Sequence, residues 1–371
     1  MFADKNIANW IFNKGLEDNI VLYSKVSIYR NLENIRFHHH MDKNESDKVD
    51  SIFQKNIEEL NLNLTKIKLS NIKPCDIKIL KENLTIPKKR NLLNASLYIN
   101  EEQSVSILIN SNEHLEIQTI ARGLELNDCF KTAYDIENKL DEKTDFAFDK
   151  KFGYLTSSPK KIGTAMNLTV AISIPAILLK TPENIDYFIN KFSKIGFDLS
   201  PLSIGKKNIP ILTITNKVMI GIKEKDILKK MFDIVYDILD KEKNIRKRIK
   251  KLDRIKIEDR IYRSKAVLSS ARVLNYGEVI KYSFWLRMGL YYDILNDIEL
   301  DALFYMLFAS KNNHLQIQNI GNHLTPQRTL GTAAADFGAG NGNAQGLCHF
   351  QGVPQCKGYA LEHRLCHIFS C

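Results

Sequence analysis

No run of eighteen apolar residues occurs in the 371-residue chain, so no transmembrane helix is expected. The opening stretch MFADKNIANWIFNKG has no basic segment leading into an apolar one, so no secretory leader is expected and a reducing cytoplasm is the expected location. Cysteine is scarce in the body of the chain. Only Cys75 and Cys129 precede the last 24 residues, which hold Cys348, Cys356, Cys366 and Cys371. Those four are spaced like no zinc template, even with His349, His363 and His367 nearby, so no metal is expected there. Charge is not extreme either. The net +10 comes mostly from Lys spread along an Ile/Asn/Lys-rich chain, which points weakly at best to a polyanion partner. The densest basic run, KEKNIRKRIKKLDRIK at 241–256, has no aromatic residue interleaved, so nucleic acid is not an expected partner and the run reads as a solvated helix face.

What is present is an ordinary globular composition, 44% apolar and 26% charged, long enough for two or three domains. The stretch 153–176, GYLTSSPKKIGTAMNLTVAISIPA, runs from a glycine-bearing loop into the near-continuous apolar run LTVAISI of a buried strand, stopped by Pro175. Such a loop is a common place to present groups to a ligand. Apolar periodicity predicts an amphipathic helix over 2–14 and further helices over 44–67, 124–148, 182–195 and 223–251. The last of these would bury Ile227, Met231, Ile234, Val235 and Ile238. Residues 20–37 read as an apolar entry with a turn at Arg30-Asn31, 104–110 as a strand, and 209–221 as a hairpin turning at Asn216-Lys217. Several helices are expected over 258–308. The triple His38-His39-His40 reads as a solvated loop, since adjacent extended residues point to opposite sides.

After Pro326 the composition breaks. Residues 327–371 contain one Lys, one Ile and two Asn, with seven Gly and no apolar period. A +1 reading of the codons permitted for 327–336 can spell Arg-Glu-Arg-Leu-Glu-Gln-Gln-Arg-Leu-Ile, a plausible charged helix. We read this tail as frameshifted, the alternative being a disordered extension whose composition cannot build a core.

Ordered along residues 1 to about 325 stand IVLYSKVSIYRN, SILINSNEHLEIQ, DEKTDFAFDKKFGYLTSSP, an IGT turn, ITNKVMIG and IEDRIYRSKAVLSSARVL. In this succession the chain resembles the bacterial protein-arginine kinases, relatives of the phosphagen (ATP:guanido) kinases. The resemblance implies an α+β fold: a small helical N-terminal part at 1–18, an antiparallel sheet flanked by helices at 19–252, and a helical C-terminal domain at 253–325. Residues 326–371 stand apart as the aberrant tail. It also implies ATP and Mg²⁺ as cofactors wherever nucleotide binding survives. The implied partner is a protein, as substrate or as regulated target, with a homodimer as a further option and no membrane.

The chemistry of that family needs cations around a triphosphate and an acid to orient the attacking guanidinium nitrogen. The resemblance carries the relevant positions over one by one. In the family's Ser-Ser-Arg-x-Arg motif, Ser24 precedes Lys25 and Ser27, which stand at the two arginines. The phosphate-contacting histidine falls at Asn83. The Asn-Glu-Glu-Asp-His-x-Arg motif reads Asn110-Ser111-Asn112-Glu113-His114-Leu115-Glu116, which puts the family acid at Asn112, with Glu113 as candidate substitute, and Glu116 at the arginine. In the opening loop Lys160 and Lys161 replace a Thr-Asn pair, and Asn167, Leu168 and Thr169 replace Arg-Ala-Ser. A later arginine falls at Ser200, in a shortened loop. The C-terminal segment that reads phosphoarginine in the family should lie near 325–335 and is absent in this frame. The expectation is a family member that keeps the fold and has lost most or all phosphotransfer. The alternative is an active ATP:guanido phosphotransferase using Lys25, Lys160, Lys161 and Glu113.

Overall fold

Residues 21–30, VLYSKVSIYR, are rich in β-branched and aromatic side chains and form the strand from which the sheet grows on both sides. The computed structural model describes residues 7–87, 92, 94–204 and 207–318. Its strands in chain order are β1 (Val21–Arg30), β2 (Thr65–Lys68), β3 (Ser96–Ile99), β4 (Val105–Ile109), β5 (Leu115–Arg122), β6 (Phe148–Asp149), β7 (Gly153–Tyr154), β8 (Met166–Ser173), β9 (Phe197–Ile204) and β10 (Lys207–Asn216). Its helices are α1 (Lys43–Glu58), α2 (Pro74–Glu82), α3 (Leu126–Asp141), α4 (Pro175–Lys180), α5 (Glu183–Ser193), α6 (Glu224–Leu252), α7 (Arg254–Ser270), α8 (Tyr276–Tyr291), α9 (Leu300–Ala309) and α10 (Asn312–Gln318). The fold is α+β, and among the described residues eight strands join in one sheet in the order β2-β3-β4-β5-β1-β8-β10-β9.

The chain divides into two compact units. One is formed by residues 8–201 with 211–242, the other by 1–7, 202–210 and 243–371. In the first, β1 lies between β5 and β8, antiparallel to both, in a register that places Ser27 beside Gln118 on one side and Asn167 on the other. Side chains alternate across a strand, so this register divides the sheet into two faces of opposite character. Val26, Ile28, Ile117, Leu168 and Val170 share one face with α3, whose Leu126, Ala133, Ile136 and Leu140 are buried. The other face carries Lys25, Ser27, Glu116, Gln118, Asn167 and Thr169. Helix α1 lies on the α3 side. Its N-terminus is closed by a reciprocal capping box between Asp42 and Glu45, and Lys66 of β2 reaches its Asp50 and Gln54.

In the second unit, apart from the strand segments within 202–210, α7 packs on α8 and α8 on α9. Ile257, Ile261, Phe284 and Phe304 are buried there, and a second capping box, Asn275 with Glu278, starts α8. A side chain at Gly289 would press on Ile261 and Leu295, so the glycine sets how closely these segments approach.

Several expected elements are shorter or differently joined. The N-terminal helix reduces to one 3₁₀ turn, Asn9–Phe12, which buries Trp10 and Ile11; residues 1–6 lie outside the described set. The helix expected over 44–67 stops at Glu58. Asn61 then takes a left-handed φ of 51° and the chain turns back into β2, where Thr65, Lys66 and Ile67 extend the sheet. The helix expected to 148 ends at Asp141, because Phe146 is drawn down to pair with Leu32 and Phe148 enters the β6–β7 ribbon. The hairpin expected within 209–221 is not one: β10 runs unbroken to Asn216 and pairs with β8. Asn216 closes a strand end instead of a turn, accepting from Leu168 N at 2.6 Å and donating to Met166 O at 3.0 Å. The apolar stripe of α6 is buried as its periodicity requires. The composition break, the terminal cysteines and the expected phosphoarginine-reading segment lie outside the described residues.

Candidate functional site

The polar sheet face gathers most of the positions picked out in the sequence. Lys25 sits opposite Thr169, Ser27 opposite Asn167, and Glu116 lies on the same face, two residues before Gln118. Segment 83–85 belongs to this face too. Gln118 donates to Leu84 O at 2.6 Å and Ser106 to Thr85 O at 2.9 Å, while Asn83 and Thr85 both donate to Gln103 Oε1. Ser27, Asn83, Ser106, Glu116 and Gln118 are all buried. Asn167 spends its amide on Asn216 O and accepts from Thr169 Oγ1. Gln103, Ser106 and Gln118 are members of this cluster that sequence reading passed over. Their alternation with Glu116 and the register of β4 were the signal that could have found them.

Four of the expected positions lie outside this cluster. Ser24 and Leu168 point to the α3 side, since each neighbours a polar-face residue and strand side chains alternate. Ser24 Oγ donates to Gly123 O at 2.8 Å and Leu168 is fully buried in the core. Ser200 is exposed on β9, the edge strand, apart from the central strands. Asn112 is exposed, and its carbonyl accepts from Ser157 Oγ.

Glu113 is buried, and two donors hold one of its oxygens: Asn31 Nδ2 at 2.9 Å and Ser157 N at 2.8 Å. Lys161 Nζ lies 3.8 Å from the other oxygen and 3.4 Å above the Tyr29 ring. Asn31 also donates to Leu155 O and accepts from His114 N. His114 completes the joint. Its Nδ1 accepts from Leu32 N at 2.9 Å, which fixes the neutral tautomer, so Nε2 is the donor to Arg36 O at 2.8 Å. Burial holds this imidazole below the ordinary histidine range. The cluster ties the end of β1, the β4–β5 turn and the loop after β7 into one piece.

The same loop is gripped from the α3 side by Arg30. Its Nε donates to Glu137 Oε1 of α3 at 2.7 Å, its Nη1 to Tyr29 O and Thr164 O, and its guanidinium lies 3.4 Å from the Tyr154 ring centre. Both members of the ion pair are buried. Burial also pushes the Tyr154 phenol up to about 12. Gly153 and Gly163 have φ of 80° and 118°, and Tyr154 and Gly163 exchange backbone hydrogen bonds across the loop. A side chain at Gly163 would lie 2.1 Å from Met219 O, so only glycine closes this contact.

Lys160 and Lys161 form a 3₁₀ turn in this loop, Lys160 exposed. A magnesium triphosphate calls for forked cationic donors and no buried carboxylate. The polar face does not fit that group. Apart from the undescribed Arg90, the first unit's arginines are Arg30, Arg36 and Arg122. Arg30 is committed to Glu137, Arg36 to Asp42 and Glu45, and Arg122 to Asp18 and Ile11 O. Glu116 meanwhile places a buried carboxylate in the middle of the face. Among the described residues no group of three His, Cys, Asp or Glu is arranged to hold a metal ion. No described helix is long and apolar enough to cross a membrane.

The architecture is that of the phosphagen kinases. The chain superposes on the duplicated taurocyamine kinase from Schistosoma mansoni with bound transition state analog components at a TM-score of 0.54 and 21% identity, over 62% of this chain and 34% of that one. It superposes on lombricine kinase at a TM-score of 0.53 and 15% identity, over 65% and 70%. At such identities the likeness concerns fold alone. Sequence comparison goes further. The family model for the ATP:guanido phosphotransferase C-terminal catalytic domain matches residues 46–245, and that for the protein-arginine kinase McsB C-terminal domain matches 254–333. The chain is 31% identical over 319 residues to the protein-arginine kinase of Clostridium acetobutylicum, spanning 83% of this chain and 92% of that protein. Against the protein-arginine kinase of Halothermothrix orenii it is 28% identical over 334 residues, spanning 87% and 93%. The chain belongs to the ATP:guanido phosphotransferase family and, within it, to the protein-arginine kinases.

Proposed function

We propose that this protein is a pseudokinase: a protein-arginine kinase homologue that keeps the scaffold and acts by binding a protein partner, in the protein quality-control setting its family implies. The observation that carries this reading is the polar face itself, where Glu116 is buried and the described arginines of the unit are engaged elsewhere. One arginine that stabilises a phosphoryl transition state is worth roughly 10³–10⁵ in rate, so losing several leaves no useful turnover. Lys25 and the pair Lys160-Lys161 supply point charges without the forked geometry that grips phosphate oxygens. Glu113, already accepting from Asn31 and Ser157, acts as a strut of the loop and not as the base of a reaction. In this reading 19–252 is the phosphotransferase-like part and 253–325 the helical part that meets partners.

The test is an arginine-phosphorylation assay with ATP and Mg²⁺ on a basic protein substrate, run beside a nucleotide titration of the full chain. The expected outcome is no phosphoarginine and no saturable nucleotide binding. Turnover at rates like those of active relatives overturns the proposal. In that case Lys25→Ala should abolish nucleotide binding, as the substituted-site alternative requires.

A further inference from the structure

Helices α6 and α7 carry one buried stripe across the bend between them. The α6 ladder reaches Asp253, whose N–H donates to Ile249 O, and the α7 ladder starts from its carbonyl, which accepts from Ile257 N. Arg246, Ile249, Ile257, Ile261, Ser264 and Leu268 are buried along this path, so the helical phase survives the bend. The opposite stripe is therefore continuous too. Arg248, Lys251, Ile255, Asp259, Tyr262 and Ala266 follow one another at three- and four-residue spacing, and all six are exposed. Ile255 is 82% exposed and Tyr262 53%. A helix that spends one apolar face on its own core and carries large apolar side chains on the other has a second face to cover.

The charges narrow what covers it. On α7, Arg254 donates to Glu258 and Arg263 to Asp259, both at 2.8 Å, so these acids already have their cations. Lys247, Arg248 and Lys251, in the last turns of α6, form no ion pair with any described residue. The covering surface needs carboxylates at the α6 end and apolar side chains along α7. The undescribed parts of this chain do not supply that. Residues 319–371 hold two acids, Asp336 and Glu362, against Arg328, Lys357 and Arg364; residues 1–6 hold Asp4 beside Lys5, and the remaining undescribed positions hold no acid. A second copy meeting the stripe across a two-fold axis brings the same cations, with Asp259 already held by Arg263. A phosphate backbone satisfies the cations but offers no apolar surface to Ile255. We infer that this stripe docks an acidic amphipathic helix of a partner protein, its carboxylates over Arg248 and Lys251 and its apolar side chains over Ile255, Tyr262 and Ala266. The inference rests on the reading of this protein as one that acts by binding a protein partner, and it gives that partner its chemistry.

The probe is a fluorescein-labelled helical peptide with a glutamate block followed by leucines at three- and four-residue spacing, titrated by anisotropy into the full chain. Saturable binding is expected, weakened about tenfold by Ile255→Ser and about tenfold by Arg248→Glu with Lys251→Glu. The charge reversal should also flatten the salt dependence, which Ile255→Ser should keep. These positions are exposed, so each variant should melt as the native chain does; Tyr262→Ser takes the place of Ile255→Ser if that variant does not. Equal binding of a peptide with lysine in place of glutamate, or no saturation up to about 1 mM, overturns the inference. So does tighter binding of a single-stranded RNA or of phosphatidylglycerol vesicles through the same residues, or self-association that Ile255→Ser abolishes. Arginine phosphorylation, assayed separately, would sink the pseudokinase reading and leave this surface standing. A peptide that fails to bind while no phosphoarginine forms sinks the surface alone.

Discussion

The two faces of one sheet put their polar groups to opposite uses. On the α3 face, Arg30, Glu137, Tyr154 and the Thr164 carbonyl form a buried knot of ion pair, ring contact and carbonyl bonds. On the polar face, Lys25, Ser27, Glu116 and Asn167 stand on adjacent strands with amides and hydroxyls between them, but nothing there is built for a triphosphate. The loop between 153 and 165 belongs to both. Its backbone is held by Arg30 and Asn31, while its Lys161 faces Glu113 and Tyr29. The difference teaches that positioning and reactivity are separable: the loop's frame is fixed by Arg30 and Asn31 through backbone carbonyls, whatever side chains the loop presents.

The largest effect expected from breaking this contrast is at Arg30. Arg30→Ala leaves Glu137 charged and buried without its partner, which should cost about 3–5 kcal/mol. Urea denaturation of the variant should show that loss. A change below about 1 kcal/mol would mean the knot contributes little and the two faces are alike. Replacing both partners, as Arg30→Met with Glu137→Leu, should recover most of it, because the apolar pair needs no desolvation. Next in size is Gly163→Ala. It forces a positive φ on a side chain and drives Cβ into Met219 O, so a loss of about 2 kcal/mol or more is expected by the same measurement.

Much of this was legible beforehand, and unevenly. The apolar stripe of α6 and the run LTVAISI were visible because burial imposes a period. The end of α1 was not, since Asn61 and the short β2 depend on pairing with β3 and not on local propensity. Asn216 has the look of a turn former, yet its side chain closes on Leu168 and Met166, contacts nearly fifty residues away that no local pattern encodes. At the candidate site, resemblance named positions but not the faces they lie on. Ser24 and Leu168 could have been set aside by alternation alone. The burial of Glu113 and the shared joint at His114 needed three chain segments brought together.

His114 offers a finer cut between the faces, because it belongs to the scaffold but titrates. Its pKa in the folded protein lies below the ordinary 6.5, chiefly through burial. The unfolded chain therefore binds the proton first as pH falls, and stability rises with pH in this window. The contribution is complete above about pH 6.5 and is lost progressively below it, as protonation of Nδ1 removes the acceptor for Leu32 N. Denaturation midpoints at several pH values should fall on the acid side. His38, whose pKa burial and then the charge of His39 also lower, and His314, pushed down to about 3 by burial, share the direction. The diagnostic is thus the difference between the native chain and His114→Gln, which should have a shallower acid slope. Parallel slopes would remove His114 from the joint.

The smallest effect sharpens the comparison most. Lys161 is the one loop lysine that reaches the polar-face side, over Tyr29 and toward Glu113, and its side chain is only 19% exposed. If the loop's chemistry is gone, Lys161→Met should cost only a cation–π contact and a long ion pair, about 0.5–1 kcal/mol, with no change in nucleotide response. Methionine keeps the stem's packing, so the measurement isolates the charge. Were this lysine instead the surviving phosphate anchor, the substitution would leave stability nearly as it was and abolish nucleotide binding. A stability change without a nucleotide effect assigns Lys161 to the frame, and the reverse pattern returns it to a working site.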